Sequence, residues 1–363
     1  MKNSSTENET TASLENSQKP DLGKYGGTPS ALHELFSGRT LGLVLSAAIL
    51  FAILAARSRS FLSTYTMTVI SRQAAFFALI ALSQGVCLVV GGMNLSVGAI
   101  GSIATVTLGL CMDNFGLSSW VAVPIVLAVG AVAGLINGQL ITRLQINSFI
   151  VTLSMMFVYM GLRSGISGGA PYRVPESFTF IGQQDLFGVP YVFLITIVVL
   201  AAVSYMFRDT VFGRRLLATG GNADAARLSG IDTDRMIVWA NVLSGVFASL
   251  AATLWASKLG SAAPETGDGW LIVSFAVAII GGTGLSGGVI SAIGIFMGAT
   301  IFMLIKHGLV EVKANAYYAN SFLGALILLA IIVDRAREIY GKRMQSAAQR
   351  HAAQLSDKAP GGQ

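Results

Sequence analysis

The side chains able to do chemistry in this chain are few and mostly neutral. Along its apolar stretches the polar residues are Gln84, Asn94, Ser96, Asn137, Gln139, Asn147, Asn241, Ser274 and Asn320. Amides and hydroxyls both donate and accept hydrogen bonds, so as a group these residues suit contact with an uncharged, hydroxyl-rich solute; taken singly, each is more simply a tie between helices. Carboxylates avoid the same stretches, because Asp113, Asp185, Glu265, Asp268 and Glu311 all fall in expected loops or at the ends of apolar runs. Carriers driven by protons or sodium keep ionisable groups inside the membrane at a cost of roughly 3 kcal/mol each, and their scarcity here counts against ion coupling. No Ser/His/Asp constellation can be assembled and no GxxxxGK[ST] sequence is present. His33, His307 and His351 are too far apart for metal-ligand spacing, and Cys87 and Cys111 sit in apolar runs as small core residues rather than a disulfide pair. The expectation is a chain with no catalytic residue, no metal and no cofactor of its own.

The elements that must hold these residues are membrane-spanning helices. Charged residues are 12% of the 363, against about 25% in soluble domains, and the mean hydropathy is +0.67. Apolar runs occur at 41–56, 74–90, 97–112, 120–141, 149–165, 189–207, 236–256, 271–280, 289–305 and 317–333. The fold class expected is an all-α integral membrane protein of about ten transmembrane helices, some broken at Gly-rich segments. The run 271–280 is short for a span and needs Gly281 and Gly282, or residues upstream, to cross. Residues 1–39 are polar and read as a disordered cytoplasmic tail, 40–334 as the transmembrane domain, and 335–363 as a basic cytoplasmic tail. Arg337, Lys342, Arg343 and Arg350 of that last tail suit anionic lipid headgroups. Arg208, Arg214, Arg215, Arg227 and Arg235 place the 208–235 segment, and with it both termini, in the cytoplasm. Arg57, Arg59 and Arg72 are exceptions near span ends, where long side chains snorkel.

Within 208–235 lies GGNADAARLSGI, at 220–231. Asn222 can cap a short helix, Asp224 lies in its first turn, and Gly230 suits the left-handed position after its last turn. A helix shorter than about 12 residues is marginal in water, so it needs a docking surface. Ala225 and Leu228 share a small apolar face for that purpose, and the surface is either this protein's own or a partner's. A second pattern is an internal echo: GGMNLSVGAI at 91–100 and GGTGLSGGVI at 281–290 share two leading glycines, Leu95 and Leu285, Ser96 and Ser286, Gly98 and Gly288, and a final isoleucine. Glycine clusters of this kind either let helices pack closely or break them where they line a cavity. Both segments fall on the cytoplasmic side by this count of spans, which implies a parallel repeat.

These stretches, with SFIVTLSMM at 148–156, SAAPETGDG at 261–269 and LILLAIIVD at 326–334, resemble in order the permease subunits of bacterial ABC importers of the ribose and simple-sugar class. That resemblance implies that 208–235 is a coupling loop, with Gly221, Asn222, Ala225, Ala226, Arg227, Leu228 and Gly230 at positions that engage an ATPase subunit. It also implies a second permease copy, identical or related, an extracytoplasmic sugar-binding protein, ATP and Mg bound by the partner ATPase, and a place in the bacterial inner membrane with no nucleic-acid partner. Candidates for the translocation pathway are Gln84, Asn94, Ser96, Asn241, Ser274, Gly281, Gly282 and Ser286. The chain departs from the family pattern at Asn94, where aspartate is usual, at Ser148, where proline is frequent, and at Leu271 and Val273, where acids are common. These departures bear on the solute: they count against assigning ribose, and another pentose, a hexose, a polyol or a furanose signal compound fits. The expected function is ATP-driven import of a sugar or related polyhydroxylated solute; the alternative is a stand-alone carrier or channel for a neutral polar solute.

Overall fold

The computed structural model describes residues 38–58 and 61–311, together with positions 321, 324, 325 and 328. It is helical almost throughout. In chain order the helices are α1 (Gly38–Arg57), α2 (Thr64–Val89), α3 (Val97–Gly109, prolonged by a π turn Leu110–Asn114), α4 (Ser119–Leu144), α5 (Ser148–Ser167), α6 (Glu176–Gln183), α7 (Tyr191–Asp209), α8 (Val211–Gly221), α9 (Ala223–Leu228), α10 (Thr233–Leu259), α11 (Trp270–Ile280) and α12 (Ala292–Glu311). The expectation of an all-α chain needs one amendment. Two-residue strands β1 (Tyr172–Arg173) and β4 (Ser261–Ala262) pair antiparallel, as do β2 (Asp185–Leu186) and β3 (Val189–Pro190). They form where connecting segments run extended and would otherwise leave backbone groups unpaired.

Among the described residues seven helices are long and apolar enough to cross a membrane: α2, α3 with its π turn, α4, α5, α7, α10 and α12. Their burial sorts them into layers. The apolar window of α2 is 89% buried and that of α10 61%, whereas α4, α5 and α7 bury 28%, 22% and 28%. A helix that is apolar all round yet mostly uncovered requires lipid as its solvent. The window of α3 with its π turn is 78% buried, so α2, α3 and α10 form the centre and α4, α5 and α7 the rim. The tightest pairing joins α4 to α10 through Gly130, Gly134 and Gly138, spaced four apart; a Cβ on Gly138 would lie 2.7 Å from the Val238 Cα, and those on Gly130 and Gly134 would meet the backbone at Gly245 and Asn241.

The remaining expected runs differ from simple spans. The first run is α1, with a shorter apolar stretch at Leu41–Arg57, and it begins at Gly38, inside the boundary expected for the tail. The run 317–333 falls almost wholly outside the described residues, as do most of both tails. The run 271–280 is α11, whose 11 residues rise only about 16 Å. The residues just upstream of it are not α-helical. From β4 the chain passes through a 3-10 turn, Pro264–Gly267, lying against α3. Glycines on α3 admit it: Gly98 faces the backbone of Gly267, and a Cβ on Gly101 would lie 2.6 Å from the Trp270 ring.

Candidate functional site: a loop, a glycine junction and a broken span

The polar loop holds two helices rather than one. Thr210 starts α8 by accepting a hydrogen bond from the Gly213 N–H (3.1 Å), and α8 is amphipathic, burying Leu216 while Arg214 and Arg215 stay exposed. Asn222 then caps α9, its Oδ1 accepting from the Ala225 N–H (3.0 Å). Gly230, at φ +79°, closes it: the Gly230 and Ile231 N–H groups donate to the Arg227 and Ala226 carbonyls (2.9 and 3.0 Å). The side that docks is not the one formed by Ala225 and Leu228. Ala226 is buried, whereas Gly221, Asn222, Ala225 and Gly230 are exposed and Leu228 is 91% exposed. Arg227 ties α9 to the start of α10, donating from Nε to Thr233 Oγ1 (2.7 Å) and pairing with Asp234 (3.3 Å). A six-residue helix is thereby held at both ends while its largest apolar side chain points away from the protein.

Behind this loop the two echoing glycine segments meet. The chain leaves α2 through Gly91 and leaves α11 through Gly281 and Gly282, and the Gly288 N–H donates to the Val89 carbonyl (2.8 Å). Gly220, at the end of α8, is wedged between Val89 and Gly288, with room for no Cβ. A Cβ on Gly287 would lie 2.7 Å from the Gly220 oxygen and 3.0 Å from the Gly91 nitrogen. Gly281 packs in the same way on Gly294. Both echo segments therefore lie at one end of the molecule, the end that carries α8 and α9.

Beside the junction, three of the pathway candidates form a buried network. The Gln84 carboxamide, oriented to satisfy both ends, donates to the Asn94 carbonyl (2.8 Å) and accepts from the Asn94 N–H (3.3 Å). Asn94 donates to Ser244 Oγ (2.9 Å) and accepts from the Ser96 N–H and hydroxyl (3.0 and 2.6 Å). Ser96 Oγ in turn accepts from Asn137 (2.8 Å), whose Oδ1 accepts from Tyr159 (3.0 Å). Asn241 adjoins this network near Cys87 and donates to the Ile237 carbonyl (3.0 Å) on its own helix. Ser274 stands apart, buried and bonded to the Leu271 carbonyl (2.7 Å); Gly281 and Gly282 are buried in the junction, and Ser286 is exposed. Gln139 lines a groove of about 480 Å³ between α4 and α10 with Asp232, Asp234 and Trp239. Asn147 caps α5 through the Phe149 N–H (2.8 Å), and Asn320 lies outside the described residues.

The departures from the family pattern are used structurally. Ser148 Oγ accepts the Met93 N–H (3.1 Å), and Asn94 supplies a donor to Ser244. Leu271 and Val273 are half-buried on α11.

The residue that sequence reasoning missed is Arg163. It is 8% exposed on α5, and its Nη1 donates to Ser102 Oγ (2.8 Å), the Pro264 carbonyl (2.7 Å) and Asp268 Oδ1 (2.7 Å), with Nη2 to Asp268 Oδ2 (3.1 Å). Ser102 also accepts the Gly267 N–H (3.1 Å). One buried guanidinium thus fastens the non-helical half of the broken span to α3 and α5. An arginine in the apolar run 149–165 was the available signal.

Residues 66–331 match the family described as the branched-chain amino acid transport system permease component. The chain belongs to this permease family. It is 30% identical over 330 residues to the autoinducer 2 import system permease protein LsrC of Yersinia pestis (strain Pestoides F), covering 87% of this chain and 92% of that one. The same identity and coverage hold for LsrC of Yersinia pseudotuberculosis serotype O:3 (strain YPIII). No solved structure matches. The permease is a multi-pass protein of the inner membrane and the transmembrane subunit of an ABC importer for a sugar-like solute. Membership of the family implies an ATPase and a substrate-binding protein as partners.

Proposed function

We propose that 208–235 is the coupling loop of this permease and faces the cytoplasm with both termini, and that a separate ATPase, which binds ATP and Mg, drives transport through it. The observation that carries this reading is Leu228, 91% exposed on a helix fixed by the Asn222 cap and by Arg227. An apolar side chain held outward on an ordered helix is a knob for a protein groove. Its load path is short, since Gly220, one residue before α8 ends, touches Val89 at the end of α2 and Gly288 in the segment that joins α11 to α12. Displacing α9 therefore acts on the ends of the central helix and the broken span, and ATP-driven closure of the partner shifts the permease between two states by binding one of them better. Two permease copies form the pathway, and an external binding protein delivers a neutral, polyhydroxylated solute. The autoinducer 2 import permeases among the relatives support a signal compound, beside the sugars, as cargo.

The test is Leu228→Asp. Being fully outside the fold, the substitution should leave thermal stability within about 0.5 kcal/mol of the parent, while the ATPase subunit no longer co-purifies and ATP-dependent uptake is lost. Wild-type co-purification and uptake would sink the coupling assignment. Uptake driven by an ion gradient without ATP or the binding protein would instead favour a stand-alone carrier.

A further inference from the structure

The broken span places charge where a simple span would not. Trp270 lies one α11 length from the Gly281 junction, about 16 Å. Toward the opposite end, the rise along α3 from Gly98, against Gly267, to Gly109, against Tyr172, is again about 16 Å. A hydrocarbon core is about 30 Å thick, so 265–269 lies near its mid-depth. There Glu265 and Gly269 are exposed, and the Asp268 side chain is 49% exposed although its partner Arg163 is only 10% so. Carboxylates at that depth cannot face acyl chains; they require water or protein.

The same place offers donors. Gly269, at φ +85°, begins α11 with no side-chain cap, leaving first-turn N–H groups without a capping partner. Acceptors and donors side by side, at a break in a span, match hydroxyl groups, which do both. The Arg163 pairing fixes the orientation of Asp268 and balances its charge, so the site is close to neutral except at Glu265.

We propose that 264–270 forms the mid-membrane wall of the solute pathway, with Asp268 and Glu265 accepting hydrogen bonds from the hydroxyl groups of a neutral, polyhydroxylated solute and Arg163 positioning Asp268. This rests on the importer reading above. The network of Gln84, Asn94 and Ser96 then serves to hold the α3 wall in place. The experiment has two arms on the assembled transporter. In the first, Glu265→Cys is exposed to a quaternary-ammonium methanethiosulfonate reagent, with Phe187→Cys (98% exposed, in a connecting loop) and Val198→Cys (67% exposed, mid-helix on α7) as limits; Cys87 and Cys111 are buried and contribute little background. Glu265→Cys should react within about tenfold of Phe187→Cys, whereas Val198→Cys, in lipid, reacts far more slowly. Reaction as slow as at Val198→Cys would overturn the proposal. In the second arm, D-ribose, D-xylose and D-fructose are the probes. Asp268→Asn should lower the rate for whichever is carried by about tenfold, the loss of one charge-assisted bond, with Asp268→Glu recovering part of it and ATPase association unchanged. Wild-type rates in Asp268→Asn would overturn the solute contact. Fast labelling of Glu265→Cys in a transporter that carries solute only by an ion gradient would leave the water-filled wall standing and count against the ATP-driven reading alone.

Discussion

Gly220 and Gly221 are adjacent, chemically identical, and expected to respond in opposite ways to the same substitution. A Cβ on Gly221 meets nothing within 4 Å, and alanine in place of a helical glycine adds about 0.5–1 kcal/mol of stability. At Gly220 the added Cβ would lie 2.7 Å from the Gly288 nitrogen and closer still to the Val89 oxygen, where ordinary contact begins at 3.4 Å. The backbone must therefore part by at least about 0.7 Å, which opens the Gly288 to Val89 hydrogen bond (2.8 Å). Overpacking costs about 1–3 kcal/mol and the lost bond about 1 kcal/mol, so Gly220→Ala should cost about 2–4 kcal/mol. Because the strain falls on the joint between α8, the end of α2 and the segment that joins α11 to α12, solute moved per ATP hydrolysed should fall as well. The assay is thermal unfolding of each purified variant, followed by uptake and ATP hydrolysis measured on the same reconstituted transporter. Gly220→Ala indistinguishable from Gly221→Ala in both measurements would refute the junction as a tight mechanical joint.

The buried network and the Arg163 anchor make two further predictions. Asn94→Leu keeps the volume but leaves the Ser96 N–H without its acceptor, so unfolding should be easier by about 3 kcal/mol. Asn94→Asp should cost less, since the Ser244 hydroxyl can turn to donate; equal losses in thermal unfolding would show that the amide itself is required. Arg163→Ala strips the Pro264 carbonyl and Asp268 of donors and should cost about 2–4 kcal/mol, moderated by water reaching the half-exposed Asp268. Limited proteolysis should then cleave within 261–269, and resistance equal to the parent would exclude Arg163 as the anchor of that segment.

The sequence is legible where a local rule acts alone. Long apolar runs with few charges are spans because no other solvent suits them, and Asn222 and Gly230 bracket a helix because a cap and a left-handed residue act within a few residues of chain. The short run before Gly281 signalled a short helix, and the echo of the glycine segments signalled a common structural task. Other features depended on partners far away in the chain. Which side of α9 docks was decided by the position of α10, so Ala226 is covered and Leu228 is not. Whether Gln84, Asn94 and Ser96 meet was decided by the turn after α2, which folds back beside its own helix. That SAAPETGDG lies along α3 follows from Gly98 and Gly101 on α3 and from Arg163 on α5, all far away in the chain.

By itself, then, the chain's composition and order of motifs determined a helical membrane permease with a polar, capped loop, because hydrophobic transfer and helix capping are local and additive. Only the tertiary structure decided that Gly220 joins that loop to both glycine segments and that Arg163 and Asp268 meet. Close backbone approach and buried ion pairing are properties of two surfaces at once, and neither surface carries the information alone.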